Sequence, residues 1–474
     1  MSTPATNNTA TEQSLTFWQV VRLALRGGQL DYTSVSLNRA VLLLAVPMVL
    51  EMIMESLFAI SDVFWVSHLG RNAVAVVGIT ESVMTLIYAV AIGISFAATA
   101  IVSRRIGEKD PEAAAQAAGQ ILLLGVTLSA GLGLLLGYFA DDILRLMGAD
   151  DAIVTLGTDF ARIMLGGNVT VFMIFLINAI FRGAGDAVLA MRTLWLANAL
   201  NIVLGPCFIF GWGPFPELGV TGAALATNIG RGVGVLYQLW HLAGINRRIR
   251  VRLHHLRPAA DLLGSIMTTA WNGVAQLLIS TTSWVGLFKI LSTFGSASLA
   301  GFTIAMRVVA FALMPAWGLA NAGATLVGQN LGAGRPDRAE AAIRIATRFN
   351  MMFLGIGGVL FIVFARPIVA AFTDDPEVLR EGVRALWIVS LAFPLYAAGM
   401  CLEAAFNGAG DTWTPTRLNF FCFWLGQIPV AWLLSSVFGL GPTGVFIAVP
   451  LSFSALTASS AWLFVRGKWK EKRV

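Results

Sequence analysis

The stretch FRGAGD at residues 181–186 returns as FNGAGD at residues 406–411, 225 residues further along the chain. Other pairs share this offset, namely VSRRIGEKDPEAA (102–114) with VGQNLGAGRPDRA (327–339), ADD (149–151) with TDD (374–376), and Gly70 with Gly295. TGAALAT (221–227) matches TGVFIAV (443–449) at an offset of 222, which indicates a small deletion late in the second half. An offset that persists along the chain predicts an internal duplication.

The composition indicates what kind of protein is duplicated. Of the 474 residues, 57% are hydrophobic and 12% are charged, and the mean hydropathy is +0.76. Soluble domains carry about 25% charged residues, so apolar runs of about 20 residues predict helices that span a membrane. We predict twelve spans, near 40–66, 73–101, 114–139, 153–181, 193–211, 219–243, 263–292, 299–327, 340–365, 383–406, 416–438 and 444–465.

Each half of the duplication then holds six helices. Because six is even, both halves enter the membrane from the same side and form parallel repeats. The predicted fold is an all-α polytopic membrane protein with twelve transmembrane helices in two six-helix lobes. Its predicted parts are a cytoplasmic N-terminal segment (1–37), an N-lobe (38–243), a basic cytoplasmic linker (244–262), a C-lobe (263–466) and a basic cytoplasmic tail (467–474).

The loops alternate in charge and so predict the orientation. One set contains the basic segments SRRIGEKD, INRRIRVRLHHLRP, LGAGRPDR and RGKWKEKRV, and the other contains the acidic segments ADDI, GADDA and FTDDPE. The positive-inside rule places the basic set and both termini in the cytoplasm, and we expect a bacterial inner membrane. The amphipathic stretch LTFWQVVRLALRG (15–27) is predicted to lie on the inner membrane surface.

Several other functions are not supported by the sequence. The basic stretch 244–258 could suggest nucleic acid, but a basic cytoplasmic loop is the default in a membrane protein, so we expect no nucleic-acid partner. His254 and His255 are an isolated pair, and we expect no metal site there. The three cysteines lack CxxC spacing, and no Ser/His or HExxH arrangement appears. We therefore expect no enzyme activity and no organic cofactor. We also expect a monomer in the bilayer. The turns RGAGD and NGAGD are interpreted as helix stops.

The first predicted span carries three carboxylates in the segment EMIMESLFAISD (51–62). At about 100° per residue, Glu55 and Asp62 lie within about 40° of Glu51, on a stripe about 16 Å long. A charge facing lipid costs about 2.5–3.5 kcal/mol near the bilayer centre. The stripe is therefore predicted to face the lobe interior or a water-filled cavity. Pro47, one turn before Glu51, is either a hinge or a fixed packing kink.

Other polar residues of the N-lobe are predicted to lie near this stripe. They are Glu81 in the second span, Asn178 in the fourth, Asn198 and Asn201 in the fifth, and Arg231 in the sixth. The duplication supplies a comparison, because the positions equivalent to Glu51, Glu55, Asp62 and Glu81 are Gln276, Ser280, Leu287 and Met306. The second copy of the scaffold lacks these acids, which argues against a purely structural need for them.

Crowded carboxylates in a low-dielectric site cannot all be ionised. Such a group can take up a proton on one side of the membrane and release it on the other. Alternatively, carboxylate and amide oxygens can hold Na⁺ at Asp62, since oxygen ligands suit hard cations. We predict that Arg231 balances Glu51 or Glu55 and that Asp62 carries the coupling. The alternative interpretation of each acid is a hydrogen-bonded structural group.

These features resemble the multidrug and toxic compound extrusion (MATE) family over roughly 38–466. The motifs that carry the resemblance are Pro47 followed by SDVFWVSHLG (61–70), VGQNLGAGRPDRA (327–339) and GWGPFPELGVTGAALAT (211–227). The resemblance implies twelve helices in two lobes and export of organic, often cationic, compounds in exchange for H⁺ or Na⁺. The chain departs from many relatives at Gly205, where they have an aspartate four residues after an asparagine, and at Pro394, where others have an acid.

The principal alternative is a flippase for a lipid-linked glycan, because that superfamily shares the two-lobed form. Flippases typically line the central cavity with several cationic residues, whereas the charges inside the predicted N-lobe are mainly acidic. In the C-lobe, the candidates are Gln276, as the counterpart of Glu51, and Glu403. Glu403 is interpreted as a packing residue or as a group that attracts a cationic substrate. An integral-membrane enzyme is a third, weaker alternative.

Overall fold

The described chain is built of helices joined by loops and turns. The computed structural model describes residues 16–28, 30–244 and 248–472, and no β-strand occurs within these ranges, which confirms the predicted all-α class. The first half contains α1 Phe17–Arg26, α2 Leu37–Ser67, α3 Arg71–Gly107, α4 Pro111–Tyr138, α5 Ala140–Leu146, α6 Asp151–Gly166, α7 Val169–Ala184, α8 Ala187–Phe210 and α9 Val220–Ala243. The second half contains α10 Ala260–Ser292, α11 Ser296–Gly332, α12 Pro336–Val363, α13 Ala365–Ala370, α14 Pro376–Ser390, α15 Phe393–Ala409, α16 Trp413–Asn419, α17 Ile428–Trp432 and α18 Pro442–Val465.

Twelve of these segments correspond to the twelve predicted spans. By length and hydropathy, 10 described helices can cross a membrane, counting α6–α7 and Trp413–Val437 as one each. The α14–α15 pair, bent by 55° at a short break, is the eleventh. The twelfth is α9, which has 24 residues and is less apolar because it carries Arg231 and Gln238. The predicted layout of twelve helices in two lobes agrees with these segments.

The duplication is visible in the helices themselves. α3 and α11 each have 37 residues, α4 and α12 each have 28, and α9 and α18 each have 24. α7 and α15 both end at a left-handed glycine, Gly185 with a φ of 85° and Gly410 with a φ of 84°. Only glycine adopts this conformation without strain, so the two glycine-rich turns are helix stops, as predicted.

Both ends of the described chain lie at one face of the molecule, which we call the terminal face. Arginine side chains there donate hydrogen bonds to backbone carbonyls of the terminal segments. The pairs include Arg335 with Thr33 (2.8 Å), Arg248 with Leu30 (2.9 Å) and Arg104 with Lys472 (2.9 Å). The N-terminal segment thereby contacts the linker and the C-lobe, and the tail of the C-lobe contacts the N-lobe. The predictions for residues 1–15 lie outside the described residues.

Two titratable side chains fix the N-terminal segment against the terminal face. Tyr32 donates a hydrogen bond to the Gly185 carbonyl at 3.2 Å, and burial raises the pKa of Tyr32 to about 12. Burial alone would raise the pKa of Asp31, but hydrogen bonds from Thr33 and the charge of Arg248 lower it. Tyr32 therefore stays a neutral donor and Asp31 stays ionised at physiological pH.

The two lobes pack closely where α3 and α11 approach the terminal face. A Cβ atom on Gly107 would collide with the Gln329 carbonyl, and one on Gly318 would lie 2.6 Å from the Met48 carbonyl oxygen. Real Cβ atoms essentially never come this close, so glycine is required for these contacts. Buried apolar residues of α2 and α11, such as Leu44, join one cluster across the lobes. Glycines and small side chains of this kind allow helices to pack closely in membranes.

The lobes are not joined in this way towards the opposite face. The hydrogen bond from Ser56 Oγ to Met314 Sδ, at 3.2 Å, links α2 to α11 near the middle of both helices. Beyond it, no hydrogen bond or ion pair joins the lobes within residues 16–28, 30–244 and 248–472. One buried apolar core lies mainly in the N-lobe and also includes Ile266 and Ala270 of α10, and a second core lies within the C-lobe. The terminal face is therefore the end at which the two lobes are fastened together.

Candidate functional site

The carboxylate stripe lies on α2, which continues as a helix through Pro47. Glu51 is 1% exposed, and Glu55 and Asp62 are partly buried. The side-chain partners of Glu51 and Glu55 come from α7, α8 and α9 of the same lobe. The prediction that the stripe faces the lobe interior is therefore confirmed for these two residues. The hinge role of Pro47 stays a prediction.

Glu51 is held by two donors on α7. Asn178 Nδ2 donates to Glu51 Oε1 at 3.0 Å, and Arg182 Nη1 donates to the same oxygen at 3.0 Å. The two donors lie one helical turn apart, so both face α2. Gln238 of α9 donates in turn to Asn178 Oδ1 at 2.6 Å. Charge-assisted hydrogen bonds of this kind favour the ionised carboxylate.

Glu55 has an equivalent set of partners on α8 and α9. Arg231 Nη2 lies 3.1 Å from Glu55 Oε1, and Asn198 Nδ2 donates to Glu55 Oε2 at 2.9 Å. The Arg231 guanidinium also lies over the Phe58 ring, 5.4 Å from its centroid. Of the two partners predicted for Arg231, the structure therefore shows Glu55.

Asp62 lies further along α2 and differs from the other two acids. Within the described ranges, its carboxylate has no hydrogen bond and no ion pair closer than 4.0 Å. It interacts electrostatically with Glu81 of α3 and with Arg231. Glu81 itself is exposed and interacts with Arg307 of α11, in the C-lobe. Asp62 is thus a partly buried acid whose charge is not fixed by a bonded partner.

One predicted residue lies apart from the carboxylates. Asn201 Nδ2 donates to Thr227 Oγ1 at 2.8 Å, and that hydroxyl donates to the Ala223 carbonyl at 3.0 Å. Asn201 therefore links α8 to α9 and has no bond to an acid in the described structure. The asparagine that does bind an acid from α8 is Asn198, one turn earlier.

Arg182, which binds Glu51, is the member of this group that sequence reasoning missed. It lies in the stretch FRGAGD, whose glycines indicate only a helix stop. A signal is present in the sequence, because Arg182 follows Asn178 by four residues and must share its helix face. The pairing itself depends on how α7 packs against α2, which the sequence does not state.

The two C-lobe candidates lie together in a cavity of about 420 Å³. Gln276 of α10 and Glu403 of α15 both line it, together with Phe96 and Thr99 of α3. The structure therefore brings both candidates to one site. Neither belongs to the group around α2, which contains Glu51, Glu55, Asp62, Glu81, Asn178, Asn198, Arg182 and Arg231.

The buried ion pair between Glu51 and Arg182 is expected to contribute to the free energy of unfolding. Removing one partner of a buried ion pair leaves an unpaired charge and costs about 3–5 kcal/mol. Arg182→Met is therefore expected to lower the free energy of unfolding by that amount. Unfolding the purified protein in detergent with increasing fractions of dodecyl sulfate measures the change.

The double variant Glu51→Gln/Arg182→Met supplies the control. It removes both charges, so most of the lost stability should return. If the double variant were as unstable as Arg182→Met alone, shape rather than charge would explain the loss.

A histidine pair at the terminal face also has a partner. His255 Nε2 lies 2.8 Å and His254 Nε2 3.2 Å from Glu112 Oε1, and the Arg252 amide donates to His255 Nδ1 at 3.0 Å. The ligand atoms lie within 4.8 Å of one another, a spacing that a metal ion could bridge. These hydrogen bonds are sufficient to explain the arrangement, because they attach the linker to α4. The absence of a metal site there stays a prediction.

Comparison with protein families gives one match in each half of the chain. The family model described as MatE matches residues 47–207 and 273–433. A probable multidrug resistance protein NorM of Thermotoga maritima is 26% identical over 443 residues, covering 92% of this chain and 94% of the relative. An FAD transporter of Shewanella oneidensis is 26% identical over 427 residues, covering 88% of this chain and 92% of the relative.

Solved structures agree with the sequence relatives. A crystal structure of MATE in the straight conformation superposes with a TM-score of 0.87 at 27% identity, covering 93% of this chain and 98% of that chain. An outward-facing multidrug resistance MATE family transporter of the MOP superfamily superposes with a TM-score of 0.87 at 27% identity, covering 94% of this chain and 99% of that chain.

Proposed function

Because the chain belongs to the MatE family and is a membrane transporter, we propose that it is a secondary active antiporter. It exports organic compounds, cationic or amphipathic, in exchange for H⁺ or Na⁺ by alternating access. Asp62 carries the coupling ion and shares the α2 site with Glu51, Glu55, Glu81 and Asn178, whereas Asn201 contacts Thr227 and stands outside this group. Arg231 is the charge partner of Glu55. The protein acts as a monomer in the bacterial inner membrane.

This proposal depends on the difference between Asp62 and the other two acids of the stripe, Glu51 and Glu55. Glu51 and Glu55 are each bonded to a guanidinium and an amide, at 2.9 to 3.1 Å. Protonating either acid would leave a buried guanidinium without its counter-ion, which is costly. Asp62 has no such partner in the described structure, so a proton or Na⁺ can bind there without breaking an ion pair.

The distribution of contacts between the two lobes supports alternating access. The lobes are joined by hydrogen bonds at the terminal face and by none towards the opposite face, among the residues described. The basic loops support a cytoplasmic location for the terminal face, and with that orientation this arrangement corresponds to an outward-open state. Separation of the lobes at the terminal face would then produce the inward-open state.

The relatives favour transport of small solutes over the flippase alternative. They are described as multidrug resistance proteins and as an FAD transporter. FAD is an anion at neutral pH, whereas Glu403 places a carboxylate in the C-lobe cavity. An acidic side chain at this position supports a cationic rather than an anionic substrate for this chain.

Counter-transport in proteoliposomes tests the proposal. Vesicles are loaded with a fluorescent cationic dye, and a proton gradient and a sodium gradient are imposed separately. We expect one of the two gradients to drive dye movement well above that in protein-free vesicles. Dye movement that neither gradient accelerates would contradict the antiport mechanism.

A further inference from the structure

Two side chains of opposite charge lie at the same depth on equivalent helices of the two lobes. Glu81 is the eleventh residue of α3, and Arg307 is the twelfth residue of α11. These helices are related by the duplication and approach each other closely at Gly107 and Gln329, near the terminal face. At 1.5 Å per residue, both charges lie about 35 Å along their helices from that contact, towards the opposite face.

Helical periodicity places both charges beside the space between the lobes. Glu81 precedes Thr99 by 18 residues, which is five full turns, and Arg307 precedes Met314 by seven residues, which leaves about 20° between them. Thr99 and Met314 line the cavity of about 420 Å³. Glu81 and Arg307 are exposed although each lies in an apolar span. They therefore border one cleft, nearer to the opposite face than the cavity is.

Glu81 and Arg307 interact electrostatically but do not touch. Within residues 16–28, 30–244 and 248–472, neither side chain has a hydrogen bond or an ion pair shorter than 4.0 Å. A charged side chain inside a membrane span is costly unless it meets water or a counter-ion. In the proposed outward-open state the cleft supplies water, and closing the cleft would remove it.

The cations of the N-lobe site are already paired with the two glutamates of the stripe. Asp62, which interacts with Glu81, carries the same sign of charge as Glu81 and cannot balance it. Arg307 is therefore the counter-ion available to Glu81 when the cleft narrows. It belongs to the C-lobe, so a pair between the two residues forms or breaks as the lobes move.

We propose that Glu81 and Arg307 form an ion pair when the lobes close at the opposite face, and that this pair stabilises the inward-open state. Its role there matches that of the hydrogen bonds which join the lobes at the terminal face. The inference rests on the proposed function, because it assumes alternating access, and it names two residues that set the balance between the two states. Since Glu81 also interacts with Asp62, the pair would form beside the group proposed to carry the coupling ion.

The distance between the lobes in the full-length protein tests the inference. The three cysteines are replaced by serine, and spin labels are attached through Asn72→Cys and Ser296→Cys, at exposed positions near the starts of α3 and α11. Double electron–electron resonance in proteoliposomes gives the ratio of the short-distance to the long-distance population. Glu81→Gln and Arg307→Gln are each expected to lower this ratio by about fivefold, as loss of a partly solvated ion pair predicts.

A double-mutant cycle separates pairing from independent effects of the two residues. Glu81→Gln/Arg307→Gln should lower the ratio no further than the single variants do, because either substitution alone already removes the pair. Lys289→Gln is the control, since it removes an exposed positive charge near the same end of α10, and it should leave the ratio unchanged. A long-distance population like that of the unsubstituted labelled protein shows that each variant is folded.

Three results would overturn the inference. They are a single distance in the labelled protein without further substitutions, an unchanged ratio in either single variant, and additive effects in the double variant. The antiport mechanism can fail independently of the ion pair. If neither gradient drives dye movement but the cycle shows pairing, only the antiport mechanism fails. If gradient-driven transport is observed but the two substitutions act additively, only the ion pair fails.

Discussion

Asp62→Asn is expected to reduce gradient-driven dye export to the level of protein-free vesicles. The substitution preserves the shape of the side chain and removes its ability to bind a proton or to act as an anionic ligand for Na⁺. Because Asp62 has no bonded partner in the described structure, the fold should lose little stability. Loss of coupling with an intact fold is the effect expected of an ion-binding group and not of a packing residue.

The measurement compares Asp62→Asn with Asp159→Asn, which makes the same chemical change at an exposed position on α6. The control should transport at the wild-type rate. Asp62→Glu, which keeps a titratable group, should retain part of the activity. Gradient-driven export that survives in Asp62→Asn would move the coupling to Glu51, Glu55, Glu81 or Glu403.

Gly107→Val is the second substitution with a large expected effect. Any side chain at Gly107 would collide with the Gln329 backbone carbonyl of the other lobe. Overpacking of this kind costs about 1–3 kcal/mol, and the cost falls only on the state in which the terminal face is closed. We therefore expect the ratio of outward-open to inward-open protein to fall by roughly 5- to 150-fold, and the transport rate to fall with it.

Gly78→Val is the matched control, because Gly78 lies on the same helix and no atom lies within 4 Å of an added Cβ there. Hydrogen–deuterium exchange should increase at the end of α11, around Gln329, in Gly107→Val only. If both variants transported at the wild-type rate, the closed terminal face would not be needed for the cycle.

Much of the fold follows from patterns in the sequence. Twelve apolar runs, glycine stops after α7 and α15, and the offset of 225 residues predict the helices and the two lobes. The position of the acids on one face of α2 also follows, because helical periodicity fixes their angular spacing. These predictions need only local geometry and the cost of exposing charge to lipid.

The pairing of the acids could not be predicted in the same way. Arg231 reaches Glu55 and not Glu51 because of the rotation and depth of α9 relative to α2. Asn201 contacts Thr227 because its side chain faces α9. Helix rotations depend on packing against all neighbouring helices, so small differences decide which of two acids one turn apart a guanidinium meets.

One relation between the lobes is contained in the sequence alone. The offset that relates Glu51 to Gln276 also relates Asn178 to Glu403 and Arg182 to Asn407. Applying the offset to every polar residue of the spans reveals the exchange of carboxylate and amide without any knowledge of how the helices pack. The duplication preserves the scaffold, so differences between equivalent positions indicate where the two lobes have acquired different chemistry.

The hydrogen bonds of the terminal-face arginines do not depend on the side chains of the residues that they contact. Arg335, Arg248 and Arg104 bind backbone carbonyls, and every amino acid supplies a carbonyl. Replacing the side chains at the three partner positions would leave these bonds available, whereas shortening either terminal segment would remove them. These three hydrogen bonds therefore require that the terminal segments reach the arginines, and they do not require particular side chains at positions 30, 33 and 472.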